Sequence, residues 1–194
     1  MSESTAPQRR DDASARPDAA ATAEPGAVSE ADLDAFWAEA STRARLDFIG
    51  TYGGPTVLGS LRPPAWAFGA TAEQADELLA LVLAGRKTAT AGALWDYEAE
   101  GEPVPQEGAL SIVLDGAGHP RALIVTTDVD VVPFAQVGAE HAAAEGEGDG
   151  SLDHWRRVHE DFFTEHATHD RGFSPDMPVV LERFKLVYPT RRHR

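Results

Sequence analysis

The sequence contains no cysteine, only two lysines among its 194 residues, and no apolar run long enough to cross a membrane. Without cysteine there are no disulfides, thiol nucleophiles or cysteine-ligated metal centres, and a reducing cytoplasm is the expected compartment. A membrane span needs about 18 consecutive apolar residues. The N-terminus also lacks the apolar core of a secretory signal. We therefore expect a cytoplasmic protein with no membrane partner.

Positive charge is scarce as well. Lysine and arginine together number 17 against 32 aspartates and glutamates, which gives a formal net charge of -15. Proteins that bind long nucleic acid neutralise many phosphates with basic side chains, so this composition disfavours such a partner. A small nucleoside or a short single-stranded RNA remains compatible with the charge.

Four segments are predicted along the chain. Residues 1–31 have no aromatic side chain and many small or polar ones, which predicts a disordered tail. Residues 32–67 comprise a helix that begins near Ser29, with Asp32 in its first turn, and a packed loop rich in glycine and proline. Residues 68–188 form the main domain, and 189–194 a frayed basic tail. The apolar face of the first helix holds Leu33, Phe36, Trp37, Ala40 and Ala44.

The main domain is predicted to combine helices with a small sheet. Thr71 and Gln74 form a capping box that starts a helix, and Gly85 ends that helix. Beyond it, the sequence predicts strands and one late helix. The strands cover 109–114, 121–132 and 179–187, and the late helix covers 151–165. This pattern indicates an α+β domain with a mostly antiparallel, barrel-like core.

The segment 85–90 reads GRKTAT and superficially suggests a phosphate loop. Arg86 occupies the position directly before the lysine, where that loop requires glycine, so the interpretation fails. A chain that uses arginine fifteen times retains Lys87 where a compact, titratable amine is needed, or simply as a cation at a helix C-terminus. Thr90 lies three residues later. In a flat strand the two side chains would face opposite sides, so they share a site only if the backbone turns.

The segment 145–150 reads EGEGDG and imitates a calcium loop, but Arg156 stands where a bidentate glutamate is required. His141 and Glu145 have helical i, i+4 spacing suited to a metal, yet no third ligand is evident, so no metal is expected. The glycines allow close approach of a ligand to the backbone. A solvated acidic loop is the alternative.

Arg156 and Arg157, in the segment that reads HWRRVH, either hold a phosphate or are solvated.

Taken in order, these motifs resemble those of the ASCH domain. The resemblance rests on LVLAGRKTAT, the two central strands, the EGEGDG loop, the HWRRVH helix and the final VVLERFKLVYP strand. It implies a PUA-like fold, a small β-barrel flanked by helices, with a cleft suited to RNA or a modified nucleoside. A small bacterial branch of the superfamily hydrolyses the amide of N(4)-acetylcytidine, and another branch is similar to a ribonuclease. The expected function is therefore amide hydrolysis of an N(4)-acylated cytidine. The alternative is an RNA- or nucleotide-binding module, or a ribonuclease.

By motif position, the resemblance implies Lys87, Thr90 and Glu145 as catalytic residues, with no cofactor. Thr90, or a water that it positions, would attack the acyl carbon. Lys87 would act as a base if burial lowered its pKa, or as a cation that stabilises the oxyanion. Glu145 would relay a proton to the departing amine. Expected substrate-binding residues are Arg86, Trp95, Tyr97, Glu147 and Arg156.

The sequence departs from that branch at Gly92, where the branch has arginine, which leaves nucleoside specificity open. A binding module for an unrelated metabolite or a protein partner is a third possibility. In that case Lys87 and Glu145 would lie far apart and be solvated.

Overall fold

The computed structural model describes residues 28–44 and 62–190. Helix α1, Glu30–Arg43, begins as predicted, because the Ser29 hydroxyl accepts a hydrogen bond from the Asp32 N–H. Leu33 and Ala40 are buried against the sheet, while Ala44 forms the C-cap. Residues 1–27 of the predicted disordered tail lie outside the described residues. Most of the predicted loop (45–61) and the end of the basic tail (191–194) also lie outside them.

Two further long helices and five strands form the main domain. The helices are α2 at Ala72–Ala84 and α5 at Leu152–Glu165, and two short helices between them are α3 at Leu94–Glu100 and α4 at Ala139–Glu145. The strands are β1 at Ala65–Trp66, β2 at Ala89–Ala93, β3 at Leu110–Leu114, β4 at Pro120–Pro133 and β5 at Pro178–Tyr188. A 3-10 turn at Phe134–Gln136 follows β4.

The five strands make one sheet in the order β1-β3-β4-β5-β2. All neighbouring pairs are antiparallel except β1 with β3, which is parallel. The long central strands β4 and β5 hold the sheet together, and β2 pairs with the outer side of β5. In this register Thr90 lies directly opposite Glu182. The predicted α+β class with a mostly antiparallel sheet is confirmed.

Two hydrophobic clusters hold the helices on the sheet. Leu79 and Val82 of α2 pack with Phe68, Ile124 and Phe184. Helix α5 packs through a separate cluster, with Trp155, Phe163 and Phe134 at its centre. Half of the predicted capping box forms: the Thr71 hydroxyl accepts from the N–H of Gln74, but the Gln74 side chain accepts from the N–H of Ala70 rather than from that of Thr71. Helices α2 and α5 are therefore fixed against the same sheet at a defined separation.

Helices α3 and α4 differ from the expectation that one late helix would be the only one after α2. Each spans seven residues, about two turns, which is too short for an apolar stripe of period 3.6 to stand out. Both end at a glycine with a left-handed backbone, Gly101 and Gly146. Isolated helices of this length are unstable in water, so tertiary packing must hold them.

Candidate functional site

A cleft of about 300 Å³ opens between helices α2 and α5, with strand β2 contributing to its wall. Its apolar side is formed by Phe68, Leu78, Leu81 and Phe162. Its polar side brings together Lys87, Thr90, Glu145 and Glu147. All three residues expected to be catalytic, and one expected to bind substrate, therefore meet in this cleft. Pockets of this size hold small ligands such as a single nucleoside.

The turn after α2 explains how Lys87 and Thr90 come to share the cleft. Gly85 adopts a left-handed conformation (φ +68°), and the N–H groups of Arg86 and Lys87 both bond back to the Leu81 carbonyl. Lys87 therefore precedes the strand, and the alternation of strand side chains does not apply to it. Lys87 is only 2% exposed. Lys87 does follow the C-terminus of α2, but it is not a solvent-exposed side chain.

Lys87 is held by two carboxylates. Its Nζ lies 3.0 Å from Glu145 Oε2 and 2.6 Å from Glu147 Oε1, and 5.2 Å from the centre of the Phe68 ring. Burial by itself disfavours the charged amine, but the charges and hydrogen bonds of Glu145 and Glu147 outweigh it, so the pKa of Lys87 is raised. The lysine is an ammonium in this arrangement. We call these three residues the ion-pair cluster.

Glu145 is the last residue of α4 and is 1% exposed. Its Oε1 accepts hydrogen bonds from Trp155 Nε1 at 2.7 Å and from His141 Nε2 at 3.0 Å, and His159 Nε2 lies 3.5 Å away. Burial would raise the pKa of this carboxyl. The charge of Lys87 and the histidine hydrogen bonds dominate instead and hold its pKa well below the usual value. Glu145 is therefore an ionised carboxylate with hydrogen-bond donors on both of its oxygens.

The two halves of the cluster are joined through the backbone. Thr88 N–H donates to the Ala144 carbonyl at 2.8 Å, which ties the chain after α2 to the last turn of α4. Gly146 follows with φ +68°, and a Cβ at this position would overlap the carbonyl oxygen of Arg86. Only glycine allows this close approach. The contact fixes Lys87 beside Glu145, although the two are 58 residues apart in sequence.

The two arginines predicted to bind substrate do not line the cleft. Arg86 is exposed, and its guanidinium donates to the Gly146 carbonyl at 3.4 Å. Arg156 donates to the Ala135 carbonyl at 3.2 Å, because α5 turns it toward the 3-10 turn. Both side chains support the surrounding backbone rather than face the ligand space.

The two aromatic residues predicted to stack on a base are also outside the cleft. Trp95 packs edge-on against His169 and lies under the guanidinium of Arg171. Tyr97 lies over Gly92, where a Cβ would be 3.1 Å from its ring. Both belong to α3, the helix that the sequence pattern did not indicate, and this helix directs them away from Lys87. Within the described residues, the aromatic rings that line the cleft are Phe68, Phe162 and His154 with His159.

Sequence reasoning did not assign roles to the groups that surround Glu145. Trp155 is a buried residue of α5, and its indole N–H donates to Glu145. The His141–Glu145 spacing signalled one of these contacts, because residues four apart share a helix face. No signal in the sequence pointed to Phe68. The described residues contain no group of three side chains that could hold a metal ion, and no helix among them could cross a membrane.

The sheet order, the flanking helices and the cleft define a small α+β domain of the PUA-like class, a fold of RNA-binding type. The chain belongs to the ASCH domain family, whose model matches residues 64–188. It is similar to protein EF3133 from Enterococcus faecalis V583, with 32% identity, a TM-score of 0.66, and coverage of 84% of this chain and 99% of that one. It is also similar to an ASCH domain from Lactobacillus crispatus JV V101, with 34% identity, a TM-score of 0.63, and coverage of 76% and 95%. None of the curated proteins compared with the chain matches it.

Proposed function

We propose that the protein hydrolyses the amide of a small acylated nucleoside, with an N(4)-acylated cytidine as the first substrate to test. The observation that supports this proposal is the buried Lys87–Glu145 ion pair, which lines the same cleft of nucleoside size as Thr90. A buried ion pair is a costly arrangement if it only stabilises a fold, since well-packed apolar residues do that as well or better. A charged amine next to a hydroxyl is useful for acyl transfer.

The charge state of Lys87 selects between its two expected roles. With two carboxylates on its Nζ and a raised pKa, Lys87 is unsuited to be a base. As a buried ammonium it can stabilise the negative charge that develops on the acyl oxygen in the transition state. Glu145 then positions this ammonium and favours its reprotonation after Lys87 has given a proton to the leaving amine.

The reaction proceeds in two steps. Thr90 Oγ1 attacks the acyl carbon as its own proton passes to a nearby base, the C–N bond breaks, and the amine leaves with a proton from Lys87. Water then attacks the acyl ester: one of its protons restores the Lys87 ammonium, its OH group completes the carboxylic acid, and the base returns its proton to Oγ1 to regenerate the Thr90 hydroxyl. Thr90 is suited to this role because it lines the cleft and its hydroxyl has no hydrogen bond to any described residue.

The charge of the cleft favours a neutral substrate. Among the described residues that line it, Lys87 is the only lysine or arginine, while Glu77, Glu145 and Glu147 supply carboxylates. The arginines that might have held a phosphate, Arg86 and Arg156, bond to backbone carbonyls elsewhere. A nucleoside therefore fits the cleft better than its phosphorylated forms, because an added phosphate would meet net negative charge.

The test is to incubate purified protein with N(4)-acetylcytidine and to separate the products by chromatography. We expect cytidine and acetate from the native protein and none from Thr90→Val. Thr88→Val is the matched control, since Thr88 is exposed and bonds to the Ala144 carbonyl, and it should retain activity within about threefold. Absence of cytidine with the native protein would refute the amidohydrolase proposal.

Binding of RNA without hydrolysis is the second candidate, favoured by the RNA-binding type of the fold. It predicts binding of a short single-stranded oligonucleotide that weakens as salt is raised, with no product formed. Titration of a fluorescent oligonucleotide at two salt concentrations distinguishes it from the first proposal. The acidic net charge of -15 favours hydrolysis of a small substrate instead.

A further inference from the structure

A buried carboxylate outside the ion-pair cluster lies next to Thr90. Glu182 of strand β5 is 5% exposed and has no lysine, arginine or histidine partner within the described residues. Its Oε1 accepts a hydrogen bond from the Thr126 hydroxyl at 2.6 Å. No described residue donates a hydrogen bond to Oε2. A buried carboxylate with one neutral partner is unfavourable for stability, so its presence calls for a functional reason.

The strand register relates Glu182 to Thr90. The two residues are direct partners in the antiparallel β2–β5 pair. Side chains at such positions project from the same face of the sheet, with Cβ atoms about 4.5–5.5 Å apart. On its other side Glu182 is opposite Val129 of β4, which cannot compete for a proton. A glutamate side chain can therefore reach the Thr90 hydroxyl.

The proposed reaction needs a base, because a threonine hydroxyl is a weak nucleophile at its normal pKa. Lys87 is protonated and Glu145 is engaged by several donors, so neither can accept the proton of Thr90. Glu147 is also bound to the Lys87 ammonium, and Glu77 is exposed, so a buried group beside Thr90 in the sheet is better placed to be the base.

The two histidines that line the cleft also have other hydrogen-bond partners. His159 Nδ1 donates to the Trp155 carbonyl at 3.0 Å, and its Nε2 lies 3.5 Å from the carboxylate of Glu145, so both ring nitrogens face oxygen acceptors and a proton on Nε2 would be shared with Glu145. His154 Nδ1 accepts from Arg157, so in the neutral ring Nε2 carries the proton and cannot accept one.

We propose that Glu182 is the base that takes the proton from the Thr90 hydroxyl as its oxygen attacks the acyl carbon, an inference that rests on the proposed function. The Oγ1–H bond breaks and the proton moves to Glu182, while the new Oγ1–C bond forms. In the second step Glu182 returns this proton to Oγ1 when water releases the acyl group. Lys87 donates a proton to the leaving amine, so the two proton transfers use separate groups.

The environment of Glu182 makes it a stronger base than an exposed glutamate. Burial raises its pKa, and the Thr126 hydrogen bond opposes this only in part. The titratable group that faces it from α3 is Tyr97, whose pKa is raised to about 12 by burial and by the Glu182 charge, so Tyr97 stays neutral. Thr90 from β2 and Thr126 and Val129 from β4 are uncharged neighbours.

The test uses p-nitrophenyl acetate, whose leaving group needs no proton, so that Thr90 can be acetylated without the amide substrate. The rate of acetylation is measured by mass spectrometry of the peptide that contains Thr90, in the full chain, between about pH 4.5 and pH 8. We expect Glu182→Gln to lower this rate at pH 7 by about 100-fold or more, which is the range of general-base catalysis. The native rate should fall as the pH is lowered and Glu182 takes up a proton, and this fall should be absent in Glu182→Gln.

Glu98→Gln is the matched control, because Glu98 is exposed and paired only with Arg171 in the described structure. It should behave like the native protein. Equal acetylation of Thr90 in native protein and Glu182→Gln, or no acetylation of Thr90 in native protein, overturns the inference. Failure of N(4)-acetylcytidine turnover with Thr90 acetylation intact would refute the proposed substrate and leave the base assignment standing.

Discussion

Replacement of Lys87 by methionine removes the buried ammonium but keeps the length of an unbranched side chain. Glu145 would then be a carboxylate that is 1% exposed and has no cation on Oε2. Loss of one partner from a buried pair costs about 3–5 kcal/mol. The donors Trp155 and His141 remain on Oε1, and Glu147, with 20% of its side chain exposed, can turn to water. We therefore expect Lys87→Met to lower the free energy of unfolding by about 3 kcal/mol, the low end of this range.

For a chain of this length, 1 kcal/mol corresponds to about 2–4 °C in Tm, so Lys87→Met should lower Tm by about 6–12 °C. Urea unfolding followed by circular dichroism gives the free energy directly. Lys185→Met is the matched control: Lys185 is the other lysine of the chain and is exposed, and its loss should change stability by less than about 0.5 kcal/mol.

A double-mutant cycle with Glu145→Gln completes this experiment. The two changes should not add, and a coupling of about 1–3 kcal/mol is expected for directly paired groups. A loss below about 1 kcal/mol in Lys87→Met, or additivity in the cycle, would show that the ion pair does not determine the stability of the cleft. The argument for the charge states of Lys87 and Glu145 would then fail with it.

Three other predictions follow from contacts near the cleft. Gly146→Ala should destabilise the protein by clearly more than the 1–2 kcal/mol typical of a left-handed alanine, because its Cβ would overlap the Arg86 carbonyl. Gly101 also has a left-handed backbone (φ +71°), but the space around it is open. Gly101→Ala should therefore lower the free energy of unfolding, measured with urea, by only about 1–2 kcal/mol. Trp155→Phe removes the indole donor to Glu145 and should cost about 1–3 kcal/mol, whereas a loss under about 0.5 kcal/mol would argue against that hydrogen bond. Native protein should be more stable than Lys87→Met at pH values above about 4.3, which is the pKa of glutamate in an unfolded chain. This difference in stability should shrink as the pH falls through the lower folded pKa of Glu145, and a constant difference down to pH 2 would contradict this.

The sequence predicted the elements that carry a strong local signal. Helix α2 has a threonine cap, an apolar stripe and a terminal glycine, and all three are found in the structure. Strands β3, β4 and β5 lie within one or two residues of their expected bounds, because runs of β-branched residues mark them. Strand β2, with the sequence ATAGA, has little such signal, and its pairing with β5 holds it in place.

The cleft was predictable only in part. Lys87, Thr90 and Glu145 were indicated by the order of motifs, and they do line one cavity. Trp95, Tyr97 and Arg156 do not line this cleft, because their directions depend on how α3 and α5 pack, which no local pattern reports. Glu182 was not noticed at all, since its importance comes from a cross-strand partner 92 positions earlier in the chain.

The distance in sequence between Lys87 and Glu145 has a consequence for folding kinetics. The two groups are 58 residues apart, with β3, β4 and most of α4 between them along the chain. Contacts between distant parts of a chain are typically made late, once the loop-closure entropy is offset by other structure. The register of β2 adds a stricter condition, because a slip of one residue would turn Thr90 to the other face of the sheet. During refolding, recovery of any activity of the cleft should therefore lag behind recovery of helical circular dichroism, so that a folding intermediate with native helices would still be inert.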